Sequence, residues 1–243
     1  MAKFLVGTSG YSYPHWKEVF YPSGLSSSKW LSYYAEHFPI VELNVTFYRL
    51  PPERTFLAWY KKTPSHFLFV VKGSRLITHL KKLKEVQEPL KEFFARLAWL
   101  KEKLEVILWQ LPPSLKADLF LLEGFCAEVR KLSRTRQALE FRHQSWFKKE
   151  VEEVLKSYGF ASCLAHSNRW PSGEMLSADF VYLRFHGGTV LYGSNYSDEE
   201  LAFWAKKVRA WLSRGLDVYA FFNNDAYGYA VANALKLKEL VGV

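Results

Sequence analysis

Nine polar or charged residues fall at the C-terminal ends of short β-patterned runs: Glu42, Asn44, Lys72, Gln110, Glu140, Arg142, Arg184, His186 and Asn223. Their types suit catalysis. Two carboxylates, Glu42 and Glu140, can divide acid and base work when their surroundings separate their pKa values. Arg142 follows Glu140 by two residues, on the same face of a strand, and should hold that carboxyl ionised. Glu140 then reads as a base or an orienting group. Lys72 can act as an imine-forming nucleophile where burial and nearby cations depress its pKa; an ion pair to Glu42 or Glu140 is the plainer expectation. The guanidinium groups of Arg142 and Arg184 have the fork that captures phosphate or carboxylate. Lys72, Arg142 and Arg184 outnumber Glu42 and Glu140, which leaves an excess positive charge and predicts a small anionic substrate, phosphorylated ones included. The expected catalytic set is Glu42, Lys72, Glu140 and His186. The expected substrate-binding set is Asn44, Tyr48, Gln110, Arg142, Arg184, Asn223 and Trp16. The competing reading is an ion network that satisfies itself.

Elements must bring these residues together. Runs rich in β-formers at 4–8, 40–45, 67–72, 105–110, 137–142, 160–164, 180–186 and 217–222 alternate with helical patterns near 27–37, 53–61, 88–103, 117–133, 147–157, 198–213 and 226–241. That rhythm predicts parallel βα units. Successive strand residues face opposite ways. Val41, Leu43 and Val45 oppose Glu42, Asn44 and Thr46; Leu139 and Phe141 oppose Glu140 and Arg142; Val181, Leu183 and Phe185 oppose Tyr182, Arg184 and His186. The apolar set must meet outer helices, so the polar set faces inward. Eight such strands predict an α/β fold, a (β/α)8 TIM barrel spanning 1–243, with its site at the C-terminal mouth. An open doubly wound sheet is the alternative. No G-x-G-x-x-G follows the first strand, so no dinucleotide cofactor is expected, and no cofactor of another kind is indicated. Ser197-Asp-Glu-Glu predicts a helix start, and 166–178 reads as a loop.

Several loop features have two readings. His186-Gly187-Gly188 and Asn223-Asn224-Asp225 follow the last two strands, where barrels bind phosphate; alternatively Asn224 or Asp225 is a helix N-cap. Tyr11, Tyr13, Trp16, Phe20, Tyr21, Phe47, Tyr48, Trp146 and Trp170 can wall the mouth for a base or sugar, or simply pack. Lys61, Lys62, Lys72, Arg75, Lys81, Lys82 and Lys84 form a basic flank for a polyanion, or a solvated face. His15, His79, His143, His166 and His186 lie at or beyond strand ends, but no H-x-x-E-H spacing occurs and three cations would repel a divalent ion, so no metal is expected. Serine-hydrolase and P-loop patterns are absent.

Composition sets the outer limits. The chain has 243 residues with 33 basic and 24 acidic side chains, a formal charge of +9, and 17% aromatics. Two cysteines exclude a disulfide framework. Apolar runs are too short for a signal peptide or membrane span, which predicts a cytoplasmic protein with no membrane partner. Abundant Lys and Glu lean toward a thermophile.

Gly7-Thr-Ser-Gly-Tyr, Tyr13-Pro-His-Trp, Phe20-Tyr-Pro, Glu42-Leu-Asn-Val-Thr-Phe-Tyr, Lys72 with Ile77-Thr-His79, Gln110-Leu-Pro-Pro, Glu140-Phe-Arg-His, Arg184-Phe-His-Gly and Phe222-Asn-Asn-Asp together resemble the DUF72 (YecE-like) family, from residue 4 to about 235. The resemblance implies a TIM barrel and a cytoplasmic setting and supplies no reaction. Tyr11 stands where members often carry Trp. The leading expectation is an enzyme using acid–base or lyase chemistry. A nucleic-acid-binding or nucleic-acid-processing barrel and a non-catalytic ligand-binding barrel are the alternatives.

Overall fold

The computed structural model describes residues 2–242. Strands β1 (Phe4–Thr8), β2 (Ile40–Leu43), β3 (Leu68–Lys72), β4 (Leu104–Gln110), β5 (Arg136–Glu140), β6 (Phe160–His166), β7 (Phe180–Phe185) and β8 (Asp217–Phe222) pair in parallel, in the order β1-β8-β7-β6-β5-β4-β3-β2. The remaining seam, β1 to β2, is held by one bridge between Ser9 and Glu42, with the Gly10 amide donating to the Glu42 carbonyl at 2.8 Å. The sheet is thus a nearly closed barrel, as the strand rhythm predicts. Around it lie α1 (Trp30–His37), α2 (Val45–Tyr48), α3 (Glu53–Lys62), α4 (Gln87–Leu97), α5 (Leu119–Leu132), α6 (Lys149–Tyr158), α7 (Asp198–Ser213) and α8 (Tyr229–Val241). The stretch between β6 and β7 carries no helix.

Face alternation follows the sequence pattern. Val41, Val71, Ile107, Leu139 and Val181 point outward into one large core with helix residues such as Phe56, Leu90, Phe125, Leu155 and Leu237. Val70, Leu108, Ala138, Cys163 and Phe221 fill the barrel's middle layer. Below them, Arg136 pairs with Asp217 at 2.6 Å and Asp179 at 3.0 Å, and Lys3 pairs with Glu105 at 2.7 Å. Glu105 reaches this plug because the β3–β4 register slips at Phe69/Val70, leaving it as the extra residue of a bulge. The barrel is therefore apolar at its waist and charged at both ends.

At α7 the start signal is met in full: Ser197 Oγ accepts from the Glu200 amide at 3.2 Å, and Glu200 Oε2 accepts from the Ser197 amide at 2.9 Å. Several expected boundaries differ; strand β5 stops at Glu140 rather than at 142 and β6 runs on to His166 rather than 164, and three further differences have a local cause. Strand β2 stops at Leu43 rather than at 45, and the chain turns into α2; Val45 and Thr46 favour strand locally, but Thr46 Oγ1 donates to the Lys72 carbonyl at 2.7 Å and folds the segment over β3. The helix expected over 88–103 ends at Leu97 and continues as a tighter turn in which Lys101 has φ 50°. The last helix begins at Tyr229, preceded by Gly228 at φ 76°, so neither Asn224 nor Asp225 is its N-cap. Asn224 instead is buried and donates to the Ser194 carbonyl (2.9 Å) and Asn233 Oδ1 (2.8 Å), tying the loop after β7 to α8.

Gly7 sits at the β1–β2 seam, where an added Cβ would collide with the Ile40 carbonyl. Backbone cannot step aside as a side chain can. Gly7→Ala is expected to lower stability by about 2–3 kcal/mol through overpacking. Urea midpoints with unchanged slope check this; a variant as stable as wild type would show a slack seam.

Candidate active site

The inward-facing ends of β2, β5 and β7 form a buried ion network. Arg184 donates from Nε to Glu42 Oε2 at 3.0 Å, from Nη2 to Glu42 Oε1 at 2.7 Å, and from Nη1 to Glu140 Oε2. Tyr182 adds its hydroxyl to Glu42 Oε2 at 2.7 Å. Arg142 Nε donates to Glu140 Oε1 at 2.9 Å. Burial works to raise both carboxyls. For Glu42 the charge and hydrogen bonds of Arg184 outweigh it and keep the group below its usual value; for Glu140, Arg142 and Arg184 hold it well below. Both acids are ionised, as the sequence predicts for Glu140. Neither is free to serve as an acid.

This corrects one expectation. Arg184 does not offer its fork to a substrate, because all of it faces Glu42 and Glu140 inside the barrel. Arg142 differs. Its guanidinium lies over the Trp170 ring at 4.6 Å and uses only Nε on Glu140, so its two terminal nitrogens have no protein acceptor among the described residues. Of the two arginines, Arg142 is the one whose guanidinium keeps unpaired donors at the mouth.

Lys72 is also placed differently from the plainer expectation. At the end of β3, 8% exposed, its ammonium has no carboxylate within salt-bridge distance among the described residues. Its one acceptor is Gln110 Oε1 at 2.8 Å, and the Phe47 ring lies 4.2 Å away. Burial first, and the Arg184 charge second, push its pKa down to about 7, with Glu140 and Glu42 opposing. Half of it is neutral near pH 7. The excess positive charge counted from the sequence shrinks accordingly. Because Lys72 is interior, it also leaves the basic flank, which retains Lys61, Lys62, Arg75, Lys81, Lys82 and Lys84.

Gln110 joins Lys72 to a residue that the expected site set omits. Its Nε2 faces His79 Nε2 at 3.4 Å, and His79 Nδ1 meets Thr78 Oγ1 at 2.9 Å. With Gln110 donating to Nε2, the neutral ring carries its proton on Nδ1 and donates to Thr78, whose hydroxyl donates to the Ser74 carbonyl at 3.2 Å. Burial and the Lys72 charge lower His79 to about 4. His79 lies on a single π-helical turn, Leu76–Leu80, a device often found at functional sites. Its signal in the sequence is the Ile77-Thr-His79 motif beside Lys72.

His186 is fully buried just beyond β7. Asn223 Nδ2 lies 3.1 Å from its Nδ1, so the proton sits on Nε2, which is 3.5 Å from Glu140 Oε1 and lacks a good acceptor. Burial, then Arg184, lowers its pKa to about 4 against the pull of Glu140. Asn44 follows β2 and leaves its Oδ1 buried and without a donor. Tyr48 is 76% exposed on the rim. Trp16 is not a mouth residue: it is completely buried against Tyr13, Phe20 and Tyr21 and donates to the Asp225 carbonyl at 3.3 Å, anchoring the first loop to the last. Phe20, Tyr21 and Trp146 likewise pack inside loops, with Trp146 stacked on Phe141. Gly10, at φ 97°, lets Tyr13 lie against the backbone and donate to the Ser9 carbonyl at 2.6 Å. Among the described residues, no three His, Cys, Asp or Glu side chains converge as a metal site would require, and no helix is long and apolar enough to cross a membrane.

Known proteins resemble this chain over nearly its whole length. UPF0759 protein YunF of Bacillus subtilis (strain 168) is 29% identical over 256 aligned positions, covering 92% of this chain and 90% of that one. The crystal structure of a DUF72 family protein from Thermotoga maritima MSB8 superposes with a TM-score of 0.87 at 34% identity, covering 99% of this chain and 100% of the other. A DUF72 family protein from Enterococcus faecalis V583 shares the fold at 21% identity, with a TM-score of 0.84 and coverage of 99% and 96%. The family model described as "Protein of unknown function DUF72" matches residues 5–243, and the chain belongs to that family.

Proposed function

We propose that this protein is an enzyme acting on a small anionic carbonyl compound at the C-terminal mouth of the barrel, with Lys72 as the amine nucleophile and Arg142 as the anion ligand. One observation carries the reading: Lys72 is a buried lysine with no carboxylate partner, one amide acceptor, and a pKa lowered to about 7. An amine in that state is available for attack at neutral pH. Its Nζ lone pair bonds to the carbonyl carbon. Both amine hydrogens leave with the carbonyl oxygen as water, and an imine remains. A proton from solvent converts the imine to an iminium, which draws electrons from an adjacent C–H bond, whose proton passes to water, or from an adjacent C–C bond, whose other fragment leaves as carbon dioxide or an aldehyde, the step shared by proton exchange and lyase chemistry. The Glu42–Arg184–Glu140 network supports this by fixing the charges around Lys72, and Gln110 aims its amine. The catalytic roles first expected of Glu42 and Glu140 thus become positioning roles. His186, with Asn223, closes the Glu140 side.

Reductive trapping tests the proposal. The protein is incubated with 2-oxo acids and aldehyde phosphates in cyanoborohydride, and the labelled peptides are identified by mass spectrometry. A secondary-amine adduct is expected on Lys72 ahead of the surface lysines, half-maximal near pH 7, and missing in Lys72→Arg. Adducts confined to surface lysines would overturn it. The nucleic-acid alternative rests on the flank of Lys61, Lys62 and Lys81–Lys84, and a salt-dependent oligonucleotide titration would reveal it.

A further inference from the structure

Outside the Lys72 site, two clefts adjoin at the first two loops. The first has a volume of about 350 Å³ and is walled by Tyr11, Tyr13, Leu43, Val45 and Trp59, with Asn44 among them. Asn44 and Ser12 are the polar members of a wall that is otherwise mostly apolar and aromatic. The Oδ1 of Asn44 is buried without a donor, and the side chain does not cap α2, which it precedes. A buried acceptor left unmatched by the protein is unfavourable unless a ligand supplies the donor. The second cleft, about 420 Å³, shares Tyr11, Ser12 and Trp59 with the first and continues to Arg54 and Lys62. Among the described residues Arg54 forms no salt bridge, and Lys62 donates only to the Ser28 carbonyl, at 3.2 Å.

We infer that the two clefts together bind one elongated ligand. A ring lies in the first, against the Tyr11 and Trp59 faces, and donates an N–H or O–H to Asn44 Oδ1. A phosphate lies in the second, between Arg54 and Lys62. Ring phosphates share this chemistry, whether the ring is a sugar or a nucleobase. Asn44 is two residues from Glu42, so the clefts lie beside the mouth where Lys72 acts, and the ring phosphate they hold is a ligand separate from the small anion assigned to Arg142. Aromatic faces accept either ring, and the basic end supplies the preference for a phosphorylated compound over its parent.

The test is calorimetric and fluorimetric titration with glucose 6-phosphate, uridine 5′-monophosphate, their unphosphorylated parents, and inorganic phosphate. At least one ring phosphate is expected to bind about tenfold tighter than its parent or than phosphate alone. The double variant Arg54→Glu/Lys62→Glu, at exposed positions, should abolish that tenfold preference and leave the parent's affinity unchanged. Asn44→Leu should weaken ring phosphate and parent alike. Binding of the sugar phosphate alone assigns a sugar ring to the first cleft; binding of the nucleotide alone assigns a base. No binding by any compound, or a double variant that keeps the preference, would overturn the inference. Lys72→Met serves as the control. Ring-phosphate binding that persists in it while trapping fails in wild type sinks only the imine reading, and trapping without ring-phosphate binding sinks only the clefts.

Discussion

Arg184→Met is expected to destabilise the protein by about 3–5 kcal/mol, the range for removing one partner of a buried ion pair. The guanidinium makes every one of its side-chain bonds to Glu42 and Glu140, both wholly buried. Without it Glu42 retains only the Tyr182 hydroxyl, and Glu140 retains Arg142. A loss of that size is a large part of a domain's typical 5–15 kcal/mol. Urea midpoints at constant slope measure it. The pH dependence should also change sign. In the wild type both carboxyls sit below their unfolded values, so their contribution is whole above pH 4.5 and is lost as the pH falls from there through the folded values. In the variant, burial of Glu42 is no longer outweighed, and its pKa rises above the unfolded value. Acidification toward pH 5 should then stabilise the variant while leaving the wild type unchanged or weaker. Glu42→Gln added to Arg184→Met should recover part of the loss, since it removes the stranded charge. A single variant within 1 kcal/mol of wild type would mean that the network does not hold the barrel mouth.

The assembly of this network was legible in the sequence because it needs only the two-residue period of a strand and an apolar exterior. Glu42, Lys72, Gln110, Glu140, Arg184 and His186 were placed on one end of one barrel by that argument alone. Partner choice was not legible. Glu42 and Arg184 lie on β2 and β7, which are not neighbours in the sheet, and they meet across the interior at a distance that no local spacing encodes. For the same reason Arg184 looked free to bind substrate, and Lys72 looked ready to pair with a glutamate. Which carboxylate reaches which cation depends on barrel radius and rotamer, and the guanidinium takes both acids because its fork matches them better than a single ammonium does. The place of Asn44, just beyond its strand rather than on it, was not legible for another reason. Its strand ends early, since the Thr46 hydroxyl finds the Lys72 carbonyl, a tertiary bond that overrides local β preference. Trp16 and Trp59 show the limit of aromatic patterns: one anchors a loop and the other lines a cleft, and neither role has a spacing of its own.

Lys72→Met is expected to stabilise the protein, and the gain should depend on pH in a defined direction. An unfolded lysine titrates near 10.5, whereas Lys72 in the fold titrates near 7. Between those values the unfolded chain binds the proton and the folded one does not, so stability rises with pH across that window. Below about pH 7 the folded protein must carry the buried charge, and the burden is full. Each pH unit between the two values corresponds to about 1.4 kcal/mol, so the burden is of order 4–5 kcal/mol. Methionine has similar length and no charge, but it leaves Gln110 Oε1 without its donor, which returns about 1–3 kcal/mol. The net expectation is a gain of roughly 1–4 kcal/mol at pH 6, shrinking steadily above pH 7, gone between about pH 8 and 10, and reversed by pH 10.5. Urea unfolding of both proteins at pH 6, 8 and 10 provides the comparison. A difference that does not change with pH, or a variant less stable than wild type at pH 6, would show that Lys72 is not strained by its surroundings and would remove the main physical support for its role as a nucleophile. The expected result gives that support a thermodynamic form. The fold is more stable without this lysine, so the side chain does not serve stability. Arg184, which is buried more deeply still, fails the same test in the opposite direction, and the pair of variants separates the residue that holds the mouth together from the one that acts in it.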